Sequence, residues 1–196
     1  MQTGLLVGRD AELAELEART KRNRLVTIVG PGGVGKTTLA RALAARVGPK
    51  YPLGVNEVDL SRIDDDAAVR GALAAQLGFD SFDALLSSPS DRPMMLVVDN
   101  CEHVIDACAS AVAQILGSCR QPVVVATSRA PLELPGESIV ALAPLALPTP
   151  DGDPAASPSV QLFLRRVHDA GGEVHADEIG AVAELCRRLD GLPLAI

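Results

Sequence analysis

One glycine-rich stretch near the start of the chain restricts the fold more than any other feature. Residues 25–29 form an apolar run with the β-branched side chains of a buried parallel strand, and residues 30–37 then read Gly-Pro-Gly-Gly-Val-Gly-Lys-Thr before a helical pattern. In this spacing, the backbone N–H groups of the loop and the N-terminus of the following helix surround a phosphate group. Chance would produce the pattern in only on the order of a few per thousand chains of this composition, so an ordinary strand–turn–helix unit is a weak alternative. The stretch predicts that the chain binds a nucleoside triphosphate.

The positions of this stretch have distinct predicted roles. Its glycines lack a Cβ, so the loop can take left-handed dihedrals and a phosphate can come close. Lys36 is expected to reach the β- and γ-phosphates, and the hydroxyl of Thr37 is expected to bind Mg²⁺. The predicted cofactors are therefore ATP or ADP together with Mg²⁺. The predicted nucleotide contacts in this stretch are Gly30, Pro31, Gly32, Gly33, Val34, Gly35, Lys36, Thr37 and Thr38.

The composition suits a buried parallel sheet and argues against one class of partner. Apolar residues make up 47% of the 196 residues, but with no Trp, three Phe and one Tyr the core must consist of Leu, Val, Ile and Ala. The net charge of −7 argues against direct nucleic-acid binding by this segment, because contacts to nucleic-acid phosphates need clustered Lys and Arg.

Two further features of the sequence concern the compartment of the protein. The four cysteines show no C-x-x-C spacing and are expected to be reduced, buried apolar side chains. The N-terminus has no signal-peptide pattern, and no apolar run approaches the roughly 18 residues of a spanning helix. We therefore expect a cytoplasmic protein without a membrane partner.

Short apolar runs and helical patterns alternate along the first part of the chain. Strands beyond residues 25–29 are predicted at residues 54–60, 94–98, 123–127 and 139–142. Helices are predicted at residues 10–19 with Asp10 as the N-cap, at 39–47, at 67–77 after an acidic triplet, and at 104–116. Strands separated by helices of about 10–15 residues are typical of a doubly wound parallel α/β sheet, here of five strands.

Polar residues follow the predicted strands at their carboxyl ends, where ligands of parallel sheets bind. Asp99 ends the third strand, and its carboxylate can hold the same Mg²⁺ as Thr37. Hydrolysis also needs a group that orients or deprotonates water. Asn100 cannot act as a base, so Glu102 is the candidate, with charge compensation at a helix N-terminus as its alternative role. Arg129 follows the fourth strand, where its guanidinium could reach the γ-phosphate and sense its presence. The predicted catalytic residues are Lys36, Asp99, Glu102 and Arg129.

The chain divides into three predicted parts. Residues 1–143 form the α/β nucleotide-binding domain, and residues 144–158, which contain five prolines, form a linker. The remaining residues, 159–196, show only helical patterns, at 160–170 and 177–190, and predict the first helices of a small lid. The final residues, Gly-Leu-Pro-Leu-Ala-Ile, are apolar and predict the beginning of another helix, so we expect the lid to be truncated.

Five stretches of the chain together point to a family. They are Val-Gly-Arg at 7–9, the phosphate loop at 30–38, Leu-Val-Val-Asp-Asn-Cys-Glu-His at 96–103, Ala-Thr-Ser-Arg at 126–129 and Gly-Leu-Pro-Leu-Ala at 191–195. This set resembles the NB-ARC-like signal-transduction ATPases with numerous domains (STAND), in particular the ATPase region of bacterial transcriptional regulators with SARP or LuxR-type DNA-binding domains. The resemblance implies an ASCE-like P-loop NTPase fold followed by an ARC1-like helical lid.

The resemblance also implies roles for residues outside the phosphate loop. Pro193 would lie in the lid and pack against the nucleotide, and Arg129 would sense the γ-phosphate. Three residues near the N-terminus would lie along the adenine, namely Val7, Gly8 and Arg9.

The resemblance implies a molecular switch within a larger signalling or transcriptional regulator. ADP would hold a closed state, exchange for ATP would move the lid, and slow, Mg²⁺-dependent hydrolysis would reset the switch. Asn100 stands where many relatives have a second acidic residue, which argues against fast hydrolysis. The alternatives are an AAA+-like motor or loader, a P-loop kinase with a helical lid, and a hydrolysis-deficient nucleotide-binding scaffold. Nucleotide-dependent association of the chain with further copies of itself is a further alternative that the sequence leaves open.

Overall fold

Five strands form one sheet in the structure, a computed structural model that describes residues 6–87 and 93–196. The strands are β1 (Leu25–Val29), β2 (Val55–Asp59), β3 (Met94–Asp99), β4 (Pro122–Ser128) and β5 (Glu137–Ala141). Their spatial order is β2–β3–β4–β1–β5, and all neighbouring strands are parallel. The predicted five-stranded parallel fold is confirmed, with each strand within two residues of its predicted bounds.

Helices cover both faces of this sheet. The α-helices of the described residues are α1 (Asp10–Thr20), α2 (Lys36–Val47), α3 (Asp66–Gln76), α4 (Phe82–Ser87), α5 (Ile105–Ser118), α6 (Pro158–Asp169) and α7 (Ile179–Arg188). One core lies between the sheet and α1 and α2, and the other lies between the sheet and α3, α4 and α5. This is the doubly wound arrangement that the sequence predicts, although α4 was not predicted.

Side chains of β3 alternate between the two cores. Leu96 and Val98 face α3 to α5, whereas Met95 and Val97 face α1 and α2. Because successive side chains of a strand point to opposite faces, a strand covered on both faces must be apolar throughout. The four cysteines are free thiols and are buried, as predicted.

Two helix starts test the interpretation of the sequence. Asp65 is the N-cap of α3, and its side chain accepts a 2.7 Å hydrogen bond from the backbone N–H of Ala68. The acidic triplet therefore begins a helix, as predicted. The prediction that Asp10 caps α1 is wrong, because Arg9 occupies the N-cap position without a side-chain capping bond. Asp10 is instead the first helical residue, where a carboxylate still interacts favourably with the positive end of the helix dipole.

Two helices follow the sheet and pack against each other. α6 and α7 share a small apolar cluster around the buried Cys186. The segment between β5 and α6 contains one short 3-10 turn, Pro154–Ala156, and buries Leu145 against the rest of the protein. Within the parts of the chain that the structure describes, no helix is both long and apolar enough to span a membrane.

Candidate nucleotide site

The phosphate loop connects the end of β1 to the start of α2. Gly33 and Gly35 have φ angles of 77° and 99°, which L side chains rarely adopt, so the loop depends on glycine at both positions. A Cβ at Gly30 would lie 2.5 Å from the carbonyl oxygen of Leu142, so the start of the loop also lacks room for a side chain. No side chain caps α2, whose N-cap is Gly35. The first N–H groups of this 12-residue helix are therefore available to an anion.

Lys36 lies inside this loop. Its Nζ donates hydrogen bonds to the carbonyl oxygens of Gly30 at 2.8 Å and Pro31 at 3.1 Å, and the residue is 7% exposed. Burial lowers the pKa of Lys36 below its ordinary value of 10.5, although the carboxylates of Glu102 and Asp99 act to raise it. The ammonium group is thus held where the G-K-T spacing predicts it, with loop carbonyls as its partners.

Asp99, at the end of β3, is surrounded by hydrogen-bond donors. Its Oδ1 accepts bonds from the hydroxyls of Thr37, at 2.8 Å, and Thr127, and its Oδ2 accepts a bond from the Asn100 amide at 3.2 Å. The structure brings Thr37 and Asp99 together, as the sequence predicts. Hydroxyl and carboxylate oxygens are ligands that Mg²⁺ prefers, so this pair fits the implied metal ion.

Glu102 and Arg129 form an ion pair beside the loop. The Nε of Arg129 lies 3.3 Å from the Oε1 of Glu102, with the arginine side chain 64% exposed and the glutamate side chain 14% exposed. The Oε2 of Glu102 is buried, and no described residue hydrogen-bonds to it. A Cβ at Gly32 would lie 3.4 Å from the Nη2 of Arg129, so the guanidinium lies over the loop. Glu102 belongs to the 3-10 turn Cys101–His103, and the acidic residue in the first turn of α5 is Asp106.

A cavity of about 470 Å³ lies in front of the loop, lined also by α6 and by the segment that follows α7. One wall consists of the loop with Lys36, Thr37 and Thr38 and of Asn100, Glu102, His103 and Arg129. The opposite wall consists of Arg166, Pro193 and Leu194. The backbone N–H of Leu194 donates a 3.0 Å hydrogen bond to the carbonyl oxygen of Gly33. The cavity is therefore enclosed by two distant parts of the chain.

A smaller cavity of about 70 Å³ adjoins the first and shares Gly35, Thr38, Arg166 and Pro193 with it. Val7 and Arg9 line this cavity, as do Leu145 and Leu162. Pro193 is thus placed between the two cavities.

The residues of the Val-Gly-Arg stretch differ in their surroundings. Arg9 is 6% exposed and donates hydrogen bonds to Glu12 at 2.7 Å and to the carbonyl oxygen of Ala143 at 2.6 Å. Gly8 has a φ of 63°, and a Cβ there would lie 2.4 Å from the Cβ of Pro158 at the start of α6. Arg9 therefore connects the start of α1 to the segment after β5 by a hydrogen bond. The absence of a side chain at Gly8 allows Pro158, at the start of α6, to approach the backbone there closely.

Three residues of the site were not predicted from the sequence. Thr127 contacts Asp99 only because β3 and β4 are neighbours, and Arg166 looks like an ordinary charge on an amphipathic helix. Leu194 is 78% exposed and reaches the loop through its backbone. Thr127 and Leu194 carried a signal in the sequence, because they lie in the Ala-Thr-Ser-Arg and Gly-Leu-Pro-Leu-Ala stretches, whereas Arg166 carried none.

A phosphate loop after β1 of a five-stranded parallel sheet, with an aspartate at the end of β3 and with β4 between these two strands, defines a P-loop NTPase of the ASCE type. Residues 5–189 match the model of the AAA_16 family, described as AAA ATPase domain. The chain belongs to this family of ATPase domains.

Two relatives come from Mycobacterium tuberculosis. An uncharacterized protein is 34% identical over 198 residues, which cover 97% of this chain and 48% of that protein. A candidate HTH-type transcriptional regulator is 35% identical over 189 residues, which cover 92% of this chain and 20% of that protein. The chain spans about half the length of the first relative and about a fifth of the second.

Three solved structures share the fold. Cdc6p from Pyrobaculum aerophilum has a TM-score of 0.63 at 16% identity, over 96% of this chain and 58% of its own. The Walker-type ATPase of Pyrococcus abyssi has a TM-score of 0.61 at 16% identity, over 97% of this chain and 66% of its own. A STAND protein with a tetratricopeptide repeat sensor from Pyrococcus horikoshii has a TM-score of 0.50 at 18% identity, over 96% of this chain and 28% of its own. At these identities, the likeness concerns the fold alone.

Proposed function

We propose that the chain is the ATP- and ADP-binding switch module of a larger regulator, of the STAND type that the sequence resembles. The observation that carries this proposal is the cavity of about 470 Å³ between the phosphate loop and Pro193 and Leu194. A ligand there touches both parts of the chain, so the number of its phosphates can change how they are held together. The relative named as a candidate transcriptional regulator supports a role in transcription.

The phosphate loop would bind the nucleotide through residues 30–38. On binding, Lys36 would exchange the carbonyl oxygens of Gly30 and Pro31 for β- and γ-phosphate oxygens, which are charge-assisted partners. Thr37 and Asp99 would hold Mg²⁺, whose contribution is to neutralise charge on the phosphates. The hydrogen bond of 2.8 Å between these two residues supports this role, because it brings two oxygen ligands to one place.

Arg129 and Glu102 would distinguish ATP from ADP. The Arg129 guanidinium lies over the loop at Gly32 and is held by one oxygen of Glu102. A γ-phosphate would compete with Glu102 for the guanidinium, so the pair would be closed in the ADP state and open in the ATP state. The second oxygen of Glu102, buried without a partner among the described residues, is available to a water molecule, which keeps the water-positioning role of Glu102 as part of the proposal.

The base would lie on the side of the smaller cavity. Val7 and Arg9 line that cavity, Gly8 adjoins α6, and Pro193 borders both cavities, so a nucleotide with its phosphates at the loop would extend its base toward them. In this arrangement residues 1–143 are the nucleotide-binding domain, residues 144–158 the linker and residues 159–196 the first part of the lid. The module would act in the cytoplasm, with slow, Mg²⁺-dependent hydrolysis and without direct contact to nucleic acid.

A second candidate function is an AAA+-like motor or loader. It is favoured by membership of the AAA ATPase domain family. This candidate requires ATP-dependent rings with an arginine supplied by a neighbouring subunit, whereas a switch of the kind proposed here does not. Light scattering after gel filtration with MgATP and with MgADP separates the two, because only the motor forms obligate rings.

Replacing Lys36 tests the nucleotide site. Lys36→Ala should weaken MgATP and MgADP binding about 10-fold to 100-fold, since a charge-assisted hydrogen bond is worth about 1.5–3 kcal/mol. Isothermal titration calorimetry measures the two affinities. The matched control is Lys21→Ala, which removes an exposed lysine that pairs with Glu17 outside the cavity, and it should bind like the parent chain. Parental affinity in a folded Lys36→Ala variant would contradict the assignment.

A further inference from the structure

Asn100 and Asp59 form a pair at the edge of the larger cavity. The Nδ2 of Asn100 donates hydrogen bonds to Oδ1 of Asp59 at 2.9 Å and to Oδ2 of Asp99 at 3.2 Å. Both partners are carboxylates, which accept and do not donate, so the amide nitrogen and not the oxygen must face them. No residue in the described part of the chain donates a hydrogen bond to the amide oxygen. The amide therefore has one fixed orientation and one free acceptor atom.

The backbone of Asn100 is fixed as well. Its φ and ψ of 63° and 46° lie in the left-handed region, which asparagine tolerates better than most side chains. Its N–H donates a 3.0 Å hydrogen bond to the hydroxyl of Thr127. Asn100 lines the cavity together with Thr37 and Glu102, whereas Asp59 and Asp99, which hold its Nδ2, do not line it.

Asp59 does not line the cavity, yet it determines how the amide is turned. It pairs in register with Asp99 across β2 and β3, and it accepts hydrogen bonds from the N–H and hydroxyl of Ser61 at 2.9 and 3.0 Å. Burial of Asp59 acts to raise its pKa, but the hydrogen bonds from Asn100 and Ser61 outweigh burial and lower it below the ordinary value of 3.8. An acidic residue at position 100 would lie between two carboxylates, which explains why an amide suits this position.

We propose that Asn100 offers its amide oxygen to the water molecule that attacks the γ-phosphate, and that Asp59 is the positioning residue that fixes this amide. The inference rests on the proposed function, because it requires ATP in the cavity. The water oxygen forms a bond to the γ-phosphorus as the bond from that phosphorus to the β–γ bridging oxygen breaks, and ADP leaves. The amide accepts a hydrogen bond from the water but takes no proton, and the Oε2 of Glu102 is a second acceptor available to the same water. The proton of the water ends on a phosphate oxygen.

The experiment compares Asp59→Ala with the parent chain. Single-turnover hydrolysis of ATP should slow about 10-fold to 100-fold, because alanine at position 59 offers the Asn100 amide no acceptor and the water loses its alignment. The affinities for MgATP and MgADP should stay within about twofold, and the affinity for MgADP with tetrafluoroaluminate should fall by the same factor as the rate. The control is Glu57→Gln, which removes the same charge from the same strand, where Glu57 pairs with Arg41, and it should hydrolyse ATP at the parental rate.

A second variant separates positioning from folding. Asn100→Gly keeps the left-handed backbone, which glycine adopts freely, and removes the amide. It should lose at least as much of the rate as Asp59→Ala, and adding Asp59→Ala to it should have no further effect, because Asp59 acts only through the amide. Additive losses in the double variant would overturn the inference.

The remaining outcomes are also decisive. A parental rate in Asp59→Ala, or an equal loss of MgATP affinity and rate, overturns the inference, since the second result would indicate a role at the metal or in the fold. A parent chain that binds MgATP but neither hydrolyses it nor binds the tetrafluoroaluminate complex overturns the inference while leaving nucleotide binding intact. A parent chain that binds neither MgATP nor MgADP refutes the proposed function itself.

Discussion

Asp99 is a buried carboxylate that depends on its donors. It is 2% exposed, and the hydroxyls of Thr37 and Thr127 and the amide of Asn100 all donate to it. A buried charge without such partners would be costly, because the protein interior replaces water poorly. The Thr127 hydroxyl has a second task, since it accepts the backbone N–H of Asn100. One hydroxyl thus supports both the carboxylate and the left-handed turn after β3.

Removing this hydroxyl should have a measurable effect on stability. Thr127→Val keeps the shape of the side chain but removes the acceptor of the Asn100 N–H and one of the two hydroxyl donors to the Oδ1 of Asp99. We therefore expect a loss of about 1–3 kcal/mol in the free energy of unfolding. Urea unfolding at neutral pH measures this change.

The chain offers a matched control on the adjacent strand. Thr27 is also fully buried, but its hydroxyl has no hydrogen-bond partner among the described residues. Thr27→Val should therefore leave stability unchanged or increase it, because a buried hydroxyl without a partner is itself unfavourable. Equal losses in Thr27→Val and Thr127→Val would show that the bonds of Thr127 contribute nothing specific.

The residues of the site were predictable to the extent that local spacing fixes them. The loop, Lys36 and Thr37 follow each other in a fixed pattern, and Asp99 ends an apolar strand at a suitable distance along the chain. Arg166 could not be predicted, because nothing in an amphipathic helix tells which exposed residue faces a cavity formed by a distant segment. The pairing of Asn100 with Asp59 likewise depends on the order of strands in the sheet.

At the scale of elements, the strands were predictable and the short helices were not. Buried parallel strands are continuous apolar runs, and such runs are visible in this sequence. α4 has only six residues, too few to show a helical period, and it was missed. The N-cap of α1 was predicted one residue too late, at Asp10 instead of Arg9. Aspartate is common both as an N-cap and in the first turn of a helix, so the sequence does not distinguish the two positions.

Glu17 links α1 to the end of α2 and the turn after it. One of its carboxylate oxygens lies 3.0 Å from both Lys21 and Lys50, and the other lies 2.9 Å from Arg46. The hydrogen bonds from Lys21 and Lys50 lower the pKa of Glu17 from 4.5 to about 2. A carboxyl group with a lowered pKa in the folded state stabilises the fold above its unfolded-state pKa, and this contribution disappears as the pH falls through its folded-state pKa.

Neutralising Glu17 should therefore have a pH-dependent effect. Glu17→Gln should lower the Tm at neutral pH, and the difference from the parent chain should shrink as the pH falls from 4.5 to about 2, where the parent carboxyl also loses its charge. Thermal unfolding followed by circular dichroism at low ionic strength measures this, since salt screens exposed ion pairs. Glu15→Gln is the control, because among the described residues Glu15 pairs with Arg19 alone, on the same helix, and its effect should be smaller. A Tm difference that does not depend on pH would contradict this account.

At the scale of the whole molecule, backbone hydrogen bonds join the proposed lid, residues 159–196, to the preceding part of the chain. The N–H of Leu145 donates to the carbonyl oxygen of Gly191 at 2.9 Å, and the N–H of Leu194 donates to the loop at Gly33. Gly191 has a φ of 63°, and a Cβ there would lie 2.3 Å from the carbonyl oxygen of Leu145, so only glycine allows this approach. The sequence predicted that residues 191–196 begin another helix, but the structure has turns there, and these contacts arise only because the chain folds back.

Because of these backbone contacts, nucleotide binding should protect both parts of the molecule from hydrogen exchange. A ligand that binds only the folded, closed state stabilises everything that closure requires, by mass action. Saturating MgADP should therefore slow hydrogen exchange in α6 and α7 as well as in residues 30–39, with the weaker effect in the two lid helices.

Arg166→Ala should reduce the protection of α6 more than that of the loop, because Arg166 reaches both cavities from α6. Arg165→Ala, which removes the neighbouring arginine that pairs with Asp169, should behave like the parent chain. If protection is confined to residues before Pro144, the lid takes no part in binding the nucleotide.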